Sequence, residues 1–241
     1  ELQINSLSFS YDGSELKQIR NLNLSAKQGM IVGITGPIAC GKTTFGKLFT
    51  GDYKYQGSIR IGNNELSDLS QESRSGIISY MGHNPHLLSD TICENITLGE
   101  DGDIKKVLRD VCFEEDLKQM PNGIMTVVGN HGVRLSGGQQ ARISLARALY
   151  HHKGLMILDD PFSAVDRNTE EHIISHLNEY KDNSLIIIIS HRFKVFETAD
   201  MVVMMNRDHT FDYGTHEQLL NQSKEYRELY NLQVGGNKNE E

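Results

Sequence analysis

No stretch of the 241 residues approaches the ~20 consecutive apolar positions that a membrane-spanning helix needs. The densest run, Leu185 to Ile189, has the length of a buried strand. Positive charge is also short. Lys and Arg total 24 against 32 Asp and Glu, a formal net charge of −8. The chain as a whole therefore draws no electrostatic help toward DNA or RNA, and no nucleic-acid partner is expected, local basic patches aside. Cysteine is sparse and odd in number. Cys40, Cys93 and Cys112 have no metal-ligand spacing and suit a reducing compartment. There is no internal repeat, low-complexity linker or signal-peptide pattern. The sequence starts at Glu1, directly on a strand-like pattern, which leads us to expect a piece of a longer polypeptide.

What is present is an ordinary globular composition, 38% hydrophobic and 23% charged, in a length that allows one large domain or two small ones. Leu2, Ile4, Leu7 and Phe9 predict an opening strand, and Leu22 with Leu24 a second. Met30 to Thr35, bounded by Gly29 and Gly36, predicts a buried strand, and residues 42–50 a helix. Further strands are expected at Ser58–Ile61, Ile77–Met81, Leu155–Asp159, Leu185–Ser190 and Met201–Met205. Residues of about 87–152 change character and predict helices, among them Asp103–Cys112 and Gly138–Tyr150. Alternating strand and helix implies an α/β fold with a mainly parallel sheet, helices on both faces and a helical insertion. A core of about 1–86 and 153–232 and a flexible tail over 233–241 complete the expected single domain.

Gly36-Pro37-Ile38-Ala39-Cys40-Gly41-Lys42-Thr43-Thr44 contains G-x-x-x-x-G-K-[ST] between a predicted strand and a predicted helix, the context in which that motif cradles phosphates. The glycines let the backbone curl until its N–H groups point inward, and the helix N-terminus adds positive partial charge. Lys42 is expected to reach the β- and γ-phosphates, and Thr43 to hold Mg²⁺. Chance gives such a match in about one chain in a hundred of this length; the strand–loop–helix context lowers that further. Leu155-Met156-Ile157-Leu158-Asp159 is an apolar strand ending in a carboxylate. Asp159 alone is a common loop residue; beside the phosphate loop it is the expected second anchor for the metal.

Leu135-Ser136-Gly137-Gly138-Gln139 resembles the signature of the ABC ATPases, although a plain helix cap at Ser136 would look the same. The resemblance extends from residue 2 to about 232. It implies a P-loop NTPase with an antiparallel β subdomain and a helical signature subdomain. It also implies ATP and Mg²⁺ as cofactors, and a head-to-tail dimer in which Ser136, Gly137, Gly138 and Gln139 grip the nucleotide of the partner. Tyr11 resembles the aromatic that stacks on adenine. Ser163-Ala164-Val165-Asp166 resembles the D-loop that crosses to the partner, and His191 the switch histidine at the γ-phosphate. A lone histidine is more often structural, so this role rests on its place after Asp159. Thr91-Ile92-Cys93-Glu94-Asn95-Ile96, Gly129-Asn130-His131-Gly132 and Asp212-Tyr213-Gly214-Thr215-His216-Glu217-Gln218-Leu219 are similar to segments of exporters. They imply attached transmembrane domains and a place on the cytoplasmic face of a membrane.

Two positions depart from the pattern. Gly36 to Thr43 and Leu155–Asp159 resemble the family's Walker A and Walker B motifs; the family carries Glu after the Walker B aspartate, here Asp159, to polarise the attacking water, and in this chain that residue is Asp160. Its carboxylate is shorter by one methylene, about 1.5 Å of reach, and a misplacement of ~1 Å can cost on the order of 100-fold in rate. The expectation is a site that binds ATP and turns it over slowly. The alternative is a backbone shift that lets Asp160 work normally. This stretch resembles the degenerate halves of heterodimeric exporters and the first ATP-binding domain of multidrug-resistance-associated proteins. Second, His83 in Met81-Gly82-His83-Asn84-Pro85 stands where the family has the Q-loop glutamine. Neutral imidazole can accept at the metal in its stead, and imidazolium would repel it; a mark of degeneracy and a harmless swap both remain open. Cys40, close to Lys42, is either a reactive thiol or merely a small loop residue. His151-His152 is read as complementing a helix dipole. The function expected is the ATP-driven motor of an exporter. A regulatory module that holds ATP without hydrolysing it and a soluble ABC ATPase acting on DNA or ribosomes are the alternatives.

Overall fold

The computed structural model describes residues 1–14, 16–129 and 132–236. In chain order its strands are β1 (Leu2–Ser10), β2 (Lys17–Ala26), β3 (Ile31–Thr35), β4 (Gln56–Ile61), β5 (Asn64–Glu65), β6 (Ile78–Met81), β7 (Leu155–Asp159), β8 (Leu185–Ile189), β9 (Met201–Met205) and β10 (Phe211–Gly214). The helices are α1 (Lys42–Leu48), α2 (Gln71–Ile77), α3 (Ile92–Thr97), α4 (Lys105–Asp110), α5 (Glu114–Lys118), α6 (Gly137–Tyr150), α7 (Arg167–Tyr180), α8 (His216–Gln222) and α9 (Lys224–Gly236).

The strands form an antiparallel sheet of order β2-β1-β4-β5 and a six-stranded sheet of order β10-β9-β3-β8-β7-β6. In the larger sheet every neighbouring pair is parallel except β10 on β9. Its central strands are wholly buried, as a parallel sheet covered on both faces requires, which is why they read as continuous apolar runs. Alternate residues serve two cores. Met156, Leu158, Ile186, Ile188, Val202 and Met204 face a helical layer with Ile92, Ile96, Ile143 and Phe196. Leu155, Ile157, Leu185, Ile187, Val203 and Met205 face α1 and the antiparallel sheet. The parallel strands place the loops after β3, β7 and β8 at one edge of the sheet, where an open α/β sheet gathers its ligands.

The sequence gives no sign of α2. That helix buries none of its residues and so carries no apolar stripe. The tail expected from residue 233 does not begin there, since α9 continues to Gly236. Tyr226 of this helix is fully buried, and the Gln233 side chain accepts a hydrogen bond from the Phe193 amide at 2.9 Å. Contacts of this kind hold a segment that its composition alone would leave free. Residues 237–241 lie outside the described residues.

A Cβ on Gly33 would lie 2.4 Å from the ring of Phe196, so Gly33→Ala should lower the calorimetric unfolding midpoint by the equivalent of about 1–3 kcal/mol. Phe196→Leu in the same chain should recover part of it; an unchanged midpoint in the single variant would show that the ring yields freely. Burial pushes His216 below its usual 6.5, and its Nδ1 lies 2.7 Å from the Tyr226 hydroxyl. The unfolded chain therefore takes up the proton first. The stability this group contributes is complete above its ordinary value and is lost as pH falls through the folded one. Melts at pH 7.5 and at successively lower pH should converge in slope when His216→Gln replaces the parent.

Candidate functional site

The loop from Gly36 to Gly41 turns out of β3 and into α1. Its curl uses positive φ at Gly36 (152°), Ala39 (65°) and Gly41 (103°). At Gly36 a Cβ would come within 2.4 Å of the Met205 carbonyl, so no side chain fits. The first amides of α1 have no partners within the helix. Lys42 Nζ bridges back across the loop, donating to the carbonyls of Gly36 at 2.7 Å and Pro37 at 2.8 Å. Ile38 is exposed at the tip. Cys40 is buried, and burial pushes its thiol up despite the nearby Lys42. Burial therefore disfavours the thiolate where Cys40 sits.

Asp159 ends β7 opposite α1. The Thr43 hydroxyl donates to its Oδ1 at 3.4 Å, while Oδ2 is buried with no hydrogen-bond partner. Burial pushes this carboxyl above the usual carboxylate range. A buried oxygen without a donor, next to a hydroxyl, is a hard donor pair that fits Mg²⁺. Asp160 follows with φ of 54°, a conformation aspartate tolerates better than most residues, and its amide donates to the Ile189 carbonyl at 2.7 Å. His191 Nδ1 stands 3.1 Å from Asp160 Oδ1, without hydrogen-bond alignment, and His83 Nδ1 stands 3.6 Å from Oδ2. These residues line one cleft of about 480 Å³ with Thr35, Gly36, Pro37, Ile38, Ala39, Lys42 and Thr43; Phe193 and Leu229 form its apolar side.

The remaining expected residues lie elsewhere. The Tyr11 hydroxyl shares a hydrogen bond of 2.7 Å with Thr44 Oγ1, and its ring meets Phe9 and Tyr53 edge-on at 4.9 and 5.6 Å. Ser136, Gly137, Gly138 and Gln139 do not line the cleft. They open α6 as a capping box in which Ser136 and Gln139 satisfy each other's backbone amides. Gly138 abuts Ala164, whose carbonyl would be 2.5 Å from a Cβ there, so the start of α6 packs on the segment Ser163–Asp166. Asp166 caps α7 by accepting from the Thr169 amide at 3.0 Å, and this contact holds its carboxyl below the usual range. Sequence reading missed Asp116, which accepts from Gln139 Nε2 at 2.8 Å and from Arg142 at 2.7 Å; a bond between two helices leaves no mark in local spacing. Asn130 and His131, within the segment similar to exporters, lie outside the described residues.

The family model described as ABC transporter matches residues 19–163. The chain belongs to the ABC transporter family. This ABC domain is 34% identical over 238 residues to the probable multidrug resistance ABC transporter ATP-binding/permease protein YheI of Bacillus subtilis, covering 97% of the chain and 41% of that protein. It is 35% identical to the multidrug resistance-like ATP-binding protein MdlA of Escherichia coli over 97% of the chain and 40% of that protein. With the ATP-dependent lipid A-core flippase of Vibrio cholerae it shares 32% identity over 98% of the chain and 41% of that protein. The chain thus spans about two fifths of the length of these relatives. A bacterial Atm1-family ABC exporter with ATP bound superposes with a TM-score of 0.89 at 26% identity, over 97% of this chain and 42% of the other. Among the described residues no helix is long and apolar enough to cross a membrane.

Because Asp159 Oδ2 is buried without a donor, Asp159→Asn should raise the thermal midpoint of the nucleotide-free chain, by about 2 °C or more, while weakening the dependence of ATP binding on Mg²⁺. A lowered midpoint would show that the carboxylate is satisfied within the fold.

Proposed function

We propose that this ABC domain is the ATP-binding, ATP-hydrolysing motor of an exporter and works on the cytoplasmic face of a membrane through attached transmembrane domains. The observation that carries the reading is the partnerless Oδ2 of Asp159 beside Thr43, next to the Gly36–Gly41 loop. Tyr11 offers a face for the base. Residues Gly36 to Thr44 hold the phosphates, with Lys42 exchanging its loop carbonyls for phosphate oxygens. Thr43 and Asp159 hold Mg²⁺, with His83 at its margin, and the ion supplies charge neutralisation to the phosphates. Asp160 and His191 flank the attacking water and the terminal phosphate.

Ser136, Gly137, Gly138, Gln139 and Asp166 lie outside their own chain's cleft, which supports their serving a second nucleotide-binding domain. Its partner is a different chain or domain, because Asp160 makes this chain's own site slow while its signature is intact. The active composite site then joins this signature to the partner's Walker residues. The domain divides into a core of about 1–86 and 153–232 and a helical part of about 87–152.

The test is Mg-ATP turnover by the parent beside Asp160→Glu and His83→Gln. Asp160→Glu should raise turnover by about tenfold or more. Equal and fast rates would refute the slow site and favour a symmetric pair. Equal rates at background would favour a module that holds ATP without hydrolysing it.

A further inference from the structure

His191 is more than half exposed, and its nearest polar neighbour, Asp160 Oδ1 at 3.1 Å, is not aligned for a hydrogen bond. The direction of the imidazole is therefore set by the backbone turn that carries it. Within that turn the Ser190 hydroxyl accepts from the Arg192 amide at 3.0 Å. From one side Arg192 ties the turn to the Val165 carbonyl at 2.8 Å. From the other, one side chain of α9 takes two backbone groups: Gln233 Nε2 donates to the His191 carbonyl at 3.3 Å and Oε1 accepts from the Phe193 amide at 2.9 Å. A primary amide is the side chain that offers a donor and an acceptor together in this way.

The same helix seats the turn. Phe193 meets Tyr226 and Tyr230 edge-on, with centroids at 4.9 and 5.6 Å, and Leu229 lines the nucleotide cleft itself. Resting on the nucleotide reading above, we propose that Gln233 is a positioning residue. It fixes the His191–Phe193 turn, so that recognition of the terminal phosphate depends on how α9 is seated. ADP, which lacks that phosphate, is bound without drawing on this clasp.

The test is calorimetric binding of Mg-ATP and Mg-ADP to the 241-residue chain, with exchange of the Phe193 amide followed by NMR. In Gln233→Leu the preference for ATP over ADP should fall by about threefold or more, with ADP affinity unchanged. Exchange at Phe193 should quicken while the thermal midpoint stays near the parent value. Gln233→Glu keeps the acceptor for Phe193 and loses the donor to His191, so it should keep the slow exchange and lose part of the preference; it carries the comparison alone if Gln233→Leu unfolds. Leu232→Gln, at an exposed neighbour on the same helix, should match the parent. An unchanged ATP preference in the Gln233 variants, or an equal loss for both nucleotides, would overturn the inference. A parent that binds neither nucleotide would sink the nucleotide reading and the inference together.

Discussion

Asp159 places a carboxyl at the end of a strand with no exposed residue, and one of its oxygens has no donor. A group of that kind costs free energy unless something arrives to satisfy it, and the elements around it are arranged for such an arrival. β3 lies one strand away from β7 across β8 and turns its loop over the same edge. The tight seat of Gly36 against Met205 allows that turn, and Thr43 brings a hydroxyl to the free carboxylate. The parallel register makes the ends of β3, β7 and β8 coincide, so that Asp159, Asp160, His191 and the phosphate loop share one cleft.

The segment that resembles the signature sits at the start of the helical layer. The helical layer buries Ile92, Ile96 and Ile143 against the strands, and α6 presents Ser136 through Gln139 away from the chain's own cleft. Three contacts surround that segment: Asp116 on Gln139, Asp116 on Arg142, and Ala164 against Gly138. The segment Ser163–Asp166 thus packs against the start of α6 a few residues after Asp160, which lines the cleft.

Much of this was legible in the sequence because it follows from local rules. Wholly buried strands announce themselves as β-branched runs, and Gly36 to Thr43 carries its own context of strand before and helix after. Ser136 was readable as a cap from residue type and spacing, whereas the cap made by Asp166 appears only in the structure. Tertiary dependence set the limit. Helix α2 has no buried face; Asp116 and Gln233 act across elements far apart in sequence. For Cys40 beside Lys42 the sequence left two readings open, because burial, which pushes its thiol up, is not displayed by a sequence.

The most direct measurement is calorimetric titration of ATP into the purified chain with and without Mg²⁺, for the parent and Lys42→Ala. The account predicts one site per chain, strengthened by Mg²⁺ in the parent and abolished or strongly weakened in Lys42→Ala. Binding indifferent to both Mg²⁺ and Lys42, or no binding at all, would contradict it.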